Sequence, residues 1–216
     1  MPTLLPLLKD LDPQHIHLVT AAVHVLEAFM DYSNPATTSF RDLGGLDSTI
    51  ARLKCEVCHF EEGARKQSEE SHSGFRGKSP QINAAGLEAT QIAQYDTLVP
   101  YHRRLLMKAL LRAISLGTYA PGNTTRLYGS EESALPFCLC TIFRRSKDFG
   151  GGVFSLAATV MSDLIHKDPT CYSVLDAAGL PNAFLDAIMV GVLPSADAIA
   201  CIPQCLDALC LNNLGL

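Results

Sequence analysis

Apolar residues recur along this chain at helical spacing, and no stretch alternates every second residue as a strand would. Ile16, Val19, Val23, Leu26 and Met30 put one apolar face on a helix predicted from about Gln14 to Asp31. Asp12-Pro13 suits its start: Asp caps free N–H groups, and Pro fits a first turn where its missing N–H has no partner anyway. Asn34-Pro35 ends it, because the residue before Pro avoids the helical region. A short apolar helix at Leu4 to Leu8 precedes this one. A short helix to Leu43, a sharp turn at Gly44-Gly45 and a helix from about Leu46 to Phe60 follow it. Further on, Leu98, Tyr101, Leu105, Ala109, Arg112 and Leu116 mark one helical line, with Leu106, Leu110 and Ile114 widening its apolar face. After a turn over Gly117 to Asn123, helices are predicted over Glu131 to Ser146, Val153 to His166, Thr170 to Ala178, Leu180 to Val192 and Ala196 to Leu211.

The same grammar appears twice. Asn34-Pro35 is followed ten residues after the Pro by Gly45-Leu46, and Asp168-Pro169 by Gly179-Leu180. An acid stands three before each Gly (Asp42, Asp176), and apolar residues stand five before (Phe40, Val174) and five after (Ile50, Phe184). Leu5, Leu46, Leu135 and Leu180 open equivalent helices, 41, 89 and 45 residues apart. Between them, residues 61–95 are polar and rich in Ser, Gly and charge, a composition that cannot offset its ordering entropy. Subtracting this predicted disordered insertion leaves a middle interval of roughly 50 residues, so the period matches armadillo or HEAT repeats. The expectation is an all-α chain, a right-handed superhelix of stacked helices. Repeats occupy residues 1–60 and 96–216, the second set ending mid-repeat at Asn212-Asn213.

Composition narrows the function classes. The 216 residues are 48% hydrophobic and 18% charged, enough to bury a sizeable core. A net charge of −5 gives no reason to expect nucleic acid or a membrane surface as partner. No apolar stretch is long enough to span a bilayer, and no signal peptide is read at the start. Eight cysteines in a chain read this way point to a reducing compartment, cytoplasmic or nuclear. Cys138, Cys140, Cys201, Cys205 and Cys210 lie in apolar helical patterns, where a free thiol packs as a small hydrophobe.

Several motifs invite chemistry. Cys55-Glu56-Val57-Cys58-His59 has the C-x-x-C-H spacing of covalent haem attachment, and its three ligand types could serve zinc. No second Cys/His pair stands at finger or ribbon spacing, so packing or surface thiols are the simpler reading and no metal or cofactor is expected. Gly150-Gly151-Gly152 lacks the following Lys-Ser/Thr of a phosphate loop and reads as a tight turn between helices. Asp163, His166 and Asp168 lie close together without an assignable nucleophile, so no catalytic residue is expected there. Two basic clusters, around Arg103-Arg104 and Arg144-Arg145, are the candidate protein-binding surface.

Five runs are more distinctive: AAVHVLEAFMDYSNP (21–35), FRDLGGLD (40–47), SLGTYAPGN (115–123), FGGGVFSLAA (149–158) and CIPQCLDALCLNN (201–213). Together they resemble the N-terminal armadillo-like region of the giant plant HECT-type E3 ubiquitin-protein ligases, the UPL group. The resemblance implies a helical scaffold that holds protein substrates for ubiquitination. E2 and ubiquitin would engage only a HECT domain, and none of the eight cysteines matches the HECT active-site motif. A stand-alone armadillo-type adaptor, unrelated to ubiquitin, is the alternative.

Overall fold

Each apolar stripe becomes the buried face of a helix. The computed structural model describes residues 1–73, 99–118, 133–191 and 195–211, the side chains of 61–73 excepted. Two 3-10 turns, Leu5–Lys9 and Pro13–His15, lead into α1 (Ile16–Tyr32), α2 (Asn34–Asp42) and α3 (Gly45–Ser73). Then come α4 (Tyr101–Thr118), α5 (Ala134–Arg144), α6 (Ser146–Phe149) and α7 (Gly151–Lys167). A 3-10 turn at Pro169–Cys171 opens the last set: α8 (Tyr172–Ala177), α9 (Leu180–Gly191) and α10 (Ala196–Leu209). Among the described residues there is no strand, so the all-α expectation holds. Starts are capped as their sequences suggest: Asp12, Asp168 and Ser195 accept hydrogen bonds from the backbone N–H of Gln14, Thr170 and Ala198.

The helices form two layers. In one, α1 packs on α4, α4 on α7 and α7 on α10; in the other, α3 packs on α5 and α5 on α9. The layers meet through α3 on α4 and α5 on α7. Contact between successive neighbours is what stacked helical repeats require. Between the layers the rings of Phe143, Phe154 and Phe184 gather with centroids 5.3 to 5.9 Å apart, all three fully buried. Leu175, Leu180 and Phe184 are spent on this core. Among the described residues no single helix is long and apolar enough to cross a membrane; Pro169–Ala177 and Leu180–Gly191 reach that length only jointly, across a 74° bend.

Several expected details shift. The helix predicted to stop at Phe60 runs on to Ser73, because Glu, Ala, Arg, Lys and Gln dominate residues 61–70 and favour helix despite their polarity. The rest of the predicted insertion, most of the turn at 117–123 and the closing Asn212-Asn213 lie outside the described residues. The turn glycines with positive φ are Gly44 (70°) and Gly179 (73°), so the first copy of the grammar has one residue fewer between its Pro and the turn. That offset moves the matching apolar position: Phe40 is answered by buried Leu175, while Val174 is exposed. Helix α4 buries Leu106, Leu110 and Ile114 against α1, α3 and α7, leaving Tyr101 and Arg112 of the expected line exposed. Cys210 is exposed as well, since it caps α10, where only α7 packs closely.

Apolar side chains also stay outside. Leu18, Val25, Phe29 and Tyr32 make a stripe along the outer face of α1, Tyr32 being 93% exposed. At the opposite end Met189 and Val190 on α9, with Ile199 and Leu206 on α10, are exposed too.

The two glycines of the first turn predict different costs. Gly44→Ala forces a side chain into left-handed backbone with open space around it, about 1–2 kcal/mol. Gly45→Ala instead drives a Cβ into the ring of fully buried Phe40. Urea unfolding should therefore place the midpoint of Gly45→Ala below that of Gly44→Ala, and both below the parent.

Candidate functional site

The four arginines of the two basic clusters have different environments. Arg103 Nη1 lies 2.6 Å from Glu56 Oε2 on α3. Glu56, 3% exposed at its side chain, is also held at 3.0 Å by Arg52 one turn away. Arg52 in turn donates to the carbonyls of Leu8 and Asp10, so this buried network ties the chain's first turn to α3 and α4. Arg104 rests near the Tyr101 ring, its Nε buried without a hydrogen-bond partner. Arg145 lies 4.4 Å from the Phe60 ring centroid and 2.9 Å from Asp148. Arg144 alone of the four is exposed. With Arg145 it lines a pocket of about 480 Å³ between the end of α5 and α9, which Asp186 and Val190 also border.

The other motifs resolve into structure. Cys55 and His59 are exposed on α3 and Cys58 is half-buried. Among the described residues no three His, Cys, Asp or Glu side chains converge as metal ligands. Gly150 makes the turn into α7 at φ +86°, while Gly151 and Gly152 let Ser195 and Lys108 approach where a Cβ would collide. Asp168 caps the turn after α7. His166 Nδ1 is 2.9 Å from the Ser162 carbonyl, and its Nε2 faces Asp207 at 3.6 Å. Asp163 turns away to accept a 2.5 Å hydrogen bond from Ser115 on α4.

A trough crosses the layer of α1, α4, α7 and α10. Its first section, about 530 Å³, lies between His24, Glu27 and Asp31 of α1, Arg112 and Ser115 of α4, and Leu156 and Thr159 of α7. Arg112 and Leu156 also border a second section of about 400 Å³, which reaches Gln204 of α10. Gln204 then joins Asp163, His166 and Lys167 around a third section of about 460 Å³. The trough is thus acidic at α1, basic at α4 and mixed beyond, with apolar floor residues between. Such a surface can hold an extended polypeptide through charge and backbone hydrogen bonds.

Comparison with known proteins gives this geometry a context. The family described as Domain of Unknown Function (DUF913) matches residues 20–216. The chain belongs to that family. E3 ubiquitin-protein ligase UPL1 of Arabidopsis thaliana is 67% identical to this DUF913 chain over 216 residues, which is 100% of the chain and 6% of the ligase. E3 ubiquitin-protein ligase ptr1 of Schizosaccharomyces pombe is 29% identical over 203 residues, 94% of the chain and 6% of the ligase. E3 ubiquitin-protein ligase HUWE1 of Mus musculus is 25% identical over 225 residues, 100% of the chain and 5% of the ligase. The chain thus spans only about 6% of the length of the curated relatives it matches. The resemblance to the UPL ligases stands on these matches. No solved structure matches.

In this DUF913 chain, two arrangements escaped the sequence. Arg52 and Glu56 stand four apart within the apolar stripe of α3, a readable sign of a buried i,i+4 ion pair. Ser115 and Asp163 lie 48 residues apart, and no local signal pairs them. Burial pushes the Asp163 carboxyl above its ordinary value, against the lowering effects of Ser115 and His166. Such a carboxyl stabilises the fold fully below its unfolded pKa, and that stability is lost as pH rises through the folded one.

Glu56→Ala strands two guanidinium groups and should remove about 3–5 kcal/mol of unfolding free energy by urea titration. Arg103→Ala should cost less, because Arg52 still pairs Glu56. For Asp163, stability measured from about pH 4 upward should fall more steeply in the parent than in Asp163→Asn, which keeps an acceptor for Ser115 but has no proton to lose.

Proposed function

We propose that this chain is a protein-holding segment of a HECT-type E3 ubiquitin ligase, and that partner polypeptides destined for ubiquitination lie in the trough across α1, α4, α7 and α10. The observation that carries the reading is the 67% identity to E3 ubiquitin-protein ligase UPL1, which extends over the whole chain. The trough supports it with three adjoining sections of chemically varied space. The pocket bordered by Arg144 and Arg145 is a second contact point on the opposite layer; Arg103 and Arg104 serve mainly to position α4. In this reading the chain is one stretch of a longer helical stack, working in the cytoplasm or nucleus, with residues 61–95 as an insertion within it. The exposed apolar stripes of α1 and of α9–α10 support this, since a stack that ended there would carry polar caps. Ubiquitin and E2 meet the ligase elsewhere, at the HECT domain.

The test uses the longer ligase that contains this segment. Thr159→Arg on α7 fills the first section of the trough from a half-buried position. Ubiquitin thioester formation should be unchanged while the set of ubiquitinated proteins shrinks; an unchanged set would exclude the trough as the holding surface. The 216 residues alone should form no ubiquitin thioester.

A further inference from the structure

The two layers close where α3 meets α4 and again where α5 meets α7, but α9 and α10, the next pair along them, make almost no contact. Both sides of this open junction are apolar. Met189 and Val190 on α9 are 85% and 76% exposed, and Ile199 and Leu206 on α10 are 61% and 41% exposed. Half-buried Ile202 and exposed Cys210 extend the α10 pair into one stripe, at i, i+3, i+7 and i+11. That stripe lies on the opposite side of α10 from Asp197 and Gln204, which border the trough. We propose that a helix of the adjoining ligase polypeptide closes this junction, and that Lys and Arg flank its apolar stripe. The proposal rests on the reading above that the chain is one stretch of a longer helical stack, and adds the chemistry of the neighbour.

Charge identifies the occupant. Residues 168–216 contain the acids Asp168, Asp176, Asp186, Asp197 and Asp207, and no Lys, Arg or His. The chain's entire net charge of −5 therefore lies in this stretch. Asp186 stands one turn before Met189 and Val190, and Asp207 follows Leu206; both acids are exposed. Cations of the chain reach them only in part. Arg144 and Arg145 share a pocket with Asp186, and His166 Nε2 lies 3.6 Å from Asp207, whose side chain is still 77% exposed.

A helix covering these stripes with acids at its own edges would set like charges together where water is being excluded. Lys or Arg at the same places turns that repulsion into attraction. Their aliphatic stems also lie along apolar surface while the charged heads reach the carboxylates. Other occupants fail on charge. Two copies meeting through this face would oppose acid to acid. The α1 face of a second copy brings Glu27 and Asp31 and no Lys or Arg. An anionic lipid surface is repelled in the same way. The position fits a stacked neighbour as well: α9 and α10 are successive members of the two layers, so one helix laid between them continues both.

Amide hydrogen exchange of α10, compared between the purified longer ligase and the 216-residue chain, tests this. The α10 amides should exchange about tenfold more slowly in the ligase, at every ligase concentration. Asp186→Lys together with Asp207→Lys should return them to the fast rate in the ligase, and should leave the rate of the 216-residue chain as it is. Ile199→Asp with Leu206→Asp should act likewise, since both positions are already exposed and the chain folds without covering them. The proposal is overturned if the ligase gives α10 no added protection, or if charge reversal leaves that protection in place. Protection that grows with ligase concentration also overturns it, because the cover is then a second copy. Ubiquitin thioester formation by the same charge-reversed ligase should persist, so the ligase reading and this one can fail separately.

Discussion

Glu56 lies almost wholly out of water between Arg52 and Arg103. A carboxylate so placed cannot be left with one partner missing without a large loss, and this requirement fixes neighbours that share no sequence proximity. Through Arg52 it draws in the carbonyls of Leu8 and Asp10; through Arg103 it sets the height of α4 along α3. One turn further along α3, Phe60 meets Arg145 and Phe149, which brings the end of α5 to the same helix. The two layers are thereby registered at their first junction. The apolar contacts of Phe143, Phe154 and Phe184 continue that registry without needing charge.

Helix identity was legible because it depends on local pattern: the stripe from Ile16 to Met30 and the capping Asp12 act within a few residues of each other. Boundaries were less so. Polar residues after Phe60 suggested loss of order, yet their helix propensity carries α3 to Ser73. The repeated Pro-to-Gly grammar was real but out of step by one residue, because only backbone angles tell which of Gly44 and Gly45 makes the turn. Of the candidate site, the arginine pairs were visible, but their fates were not. Whether Arg103 faces solvent or Glu56 is decided by how α4 lies on α3, a relation between segments 47 residues apart. The trough itself is wholly such a relation, since its walls come from four helices.

In the function proposed above, holding is separated from chemistry. The transfer of ubiquitin needs one reactive centre, whereas choosing what receives it needs area and variety. A layer of parallel stripes offers both, because each added helix extends the trough by one wall and changes its charge. The alternation here, acidic on α1 and basic on α4, gives such a surface direction as well as length. A glycine matters to this: Gly151 lets Ser195, the cap of α10, approach where a Cβ would collide, so α7 and α10 stand close enough to share one cavity.

The apolar faces at the two ends differ in composition: α1 mixes Phe29 and Tyr32 with Leu18 and Val25, whereas α9 and α10 expose Met189, Val190, Ile199 and Leu206, none of them aromatic. Two copies therefore cannot hide both faces by meeting in a symmetric pair. Tail against head, each junction leaves a fresh sticky face open, and such contacts propagate into filaments instead of closing. On its own the segment has the geometry of a polymerising unit; within the longer ligase proposed above, flanking polypeptide would act on it as a chain terminator.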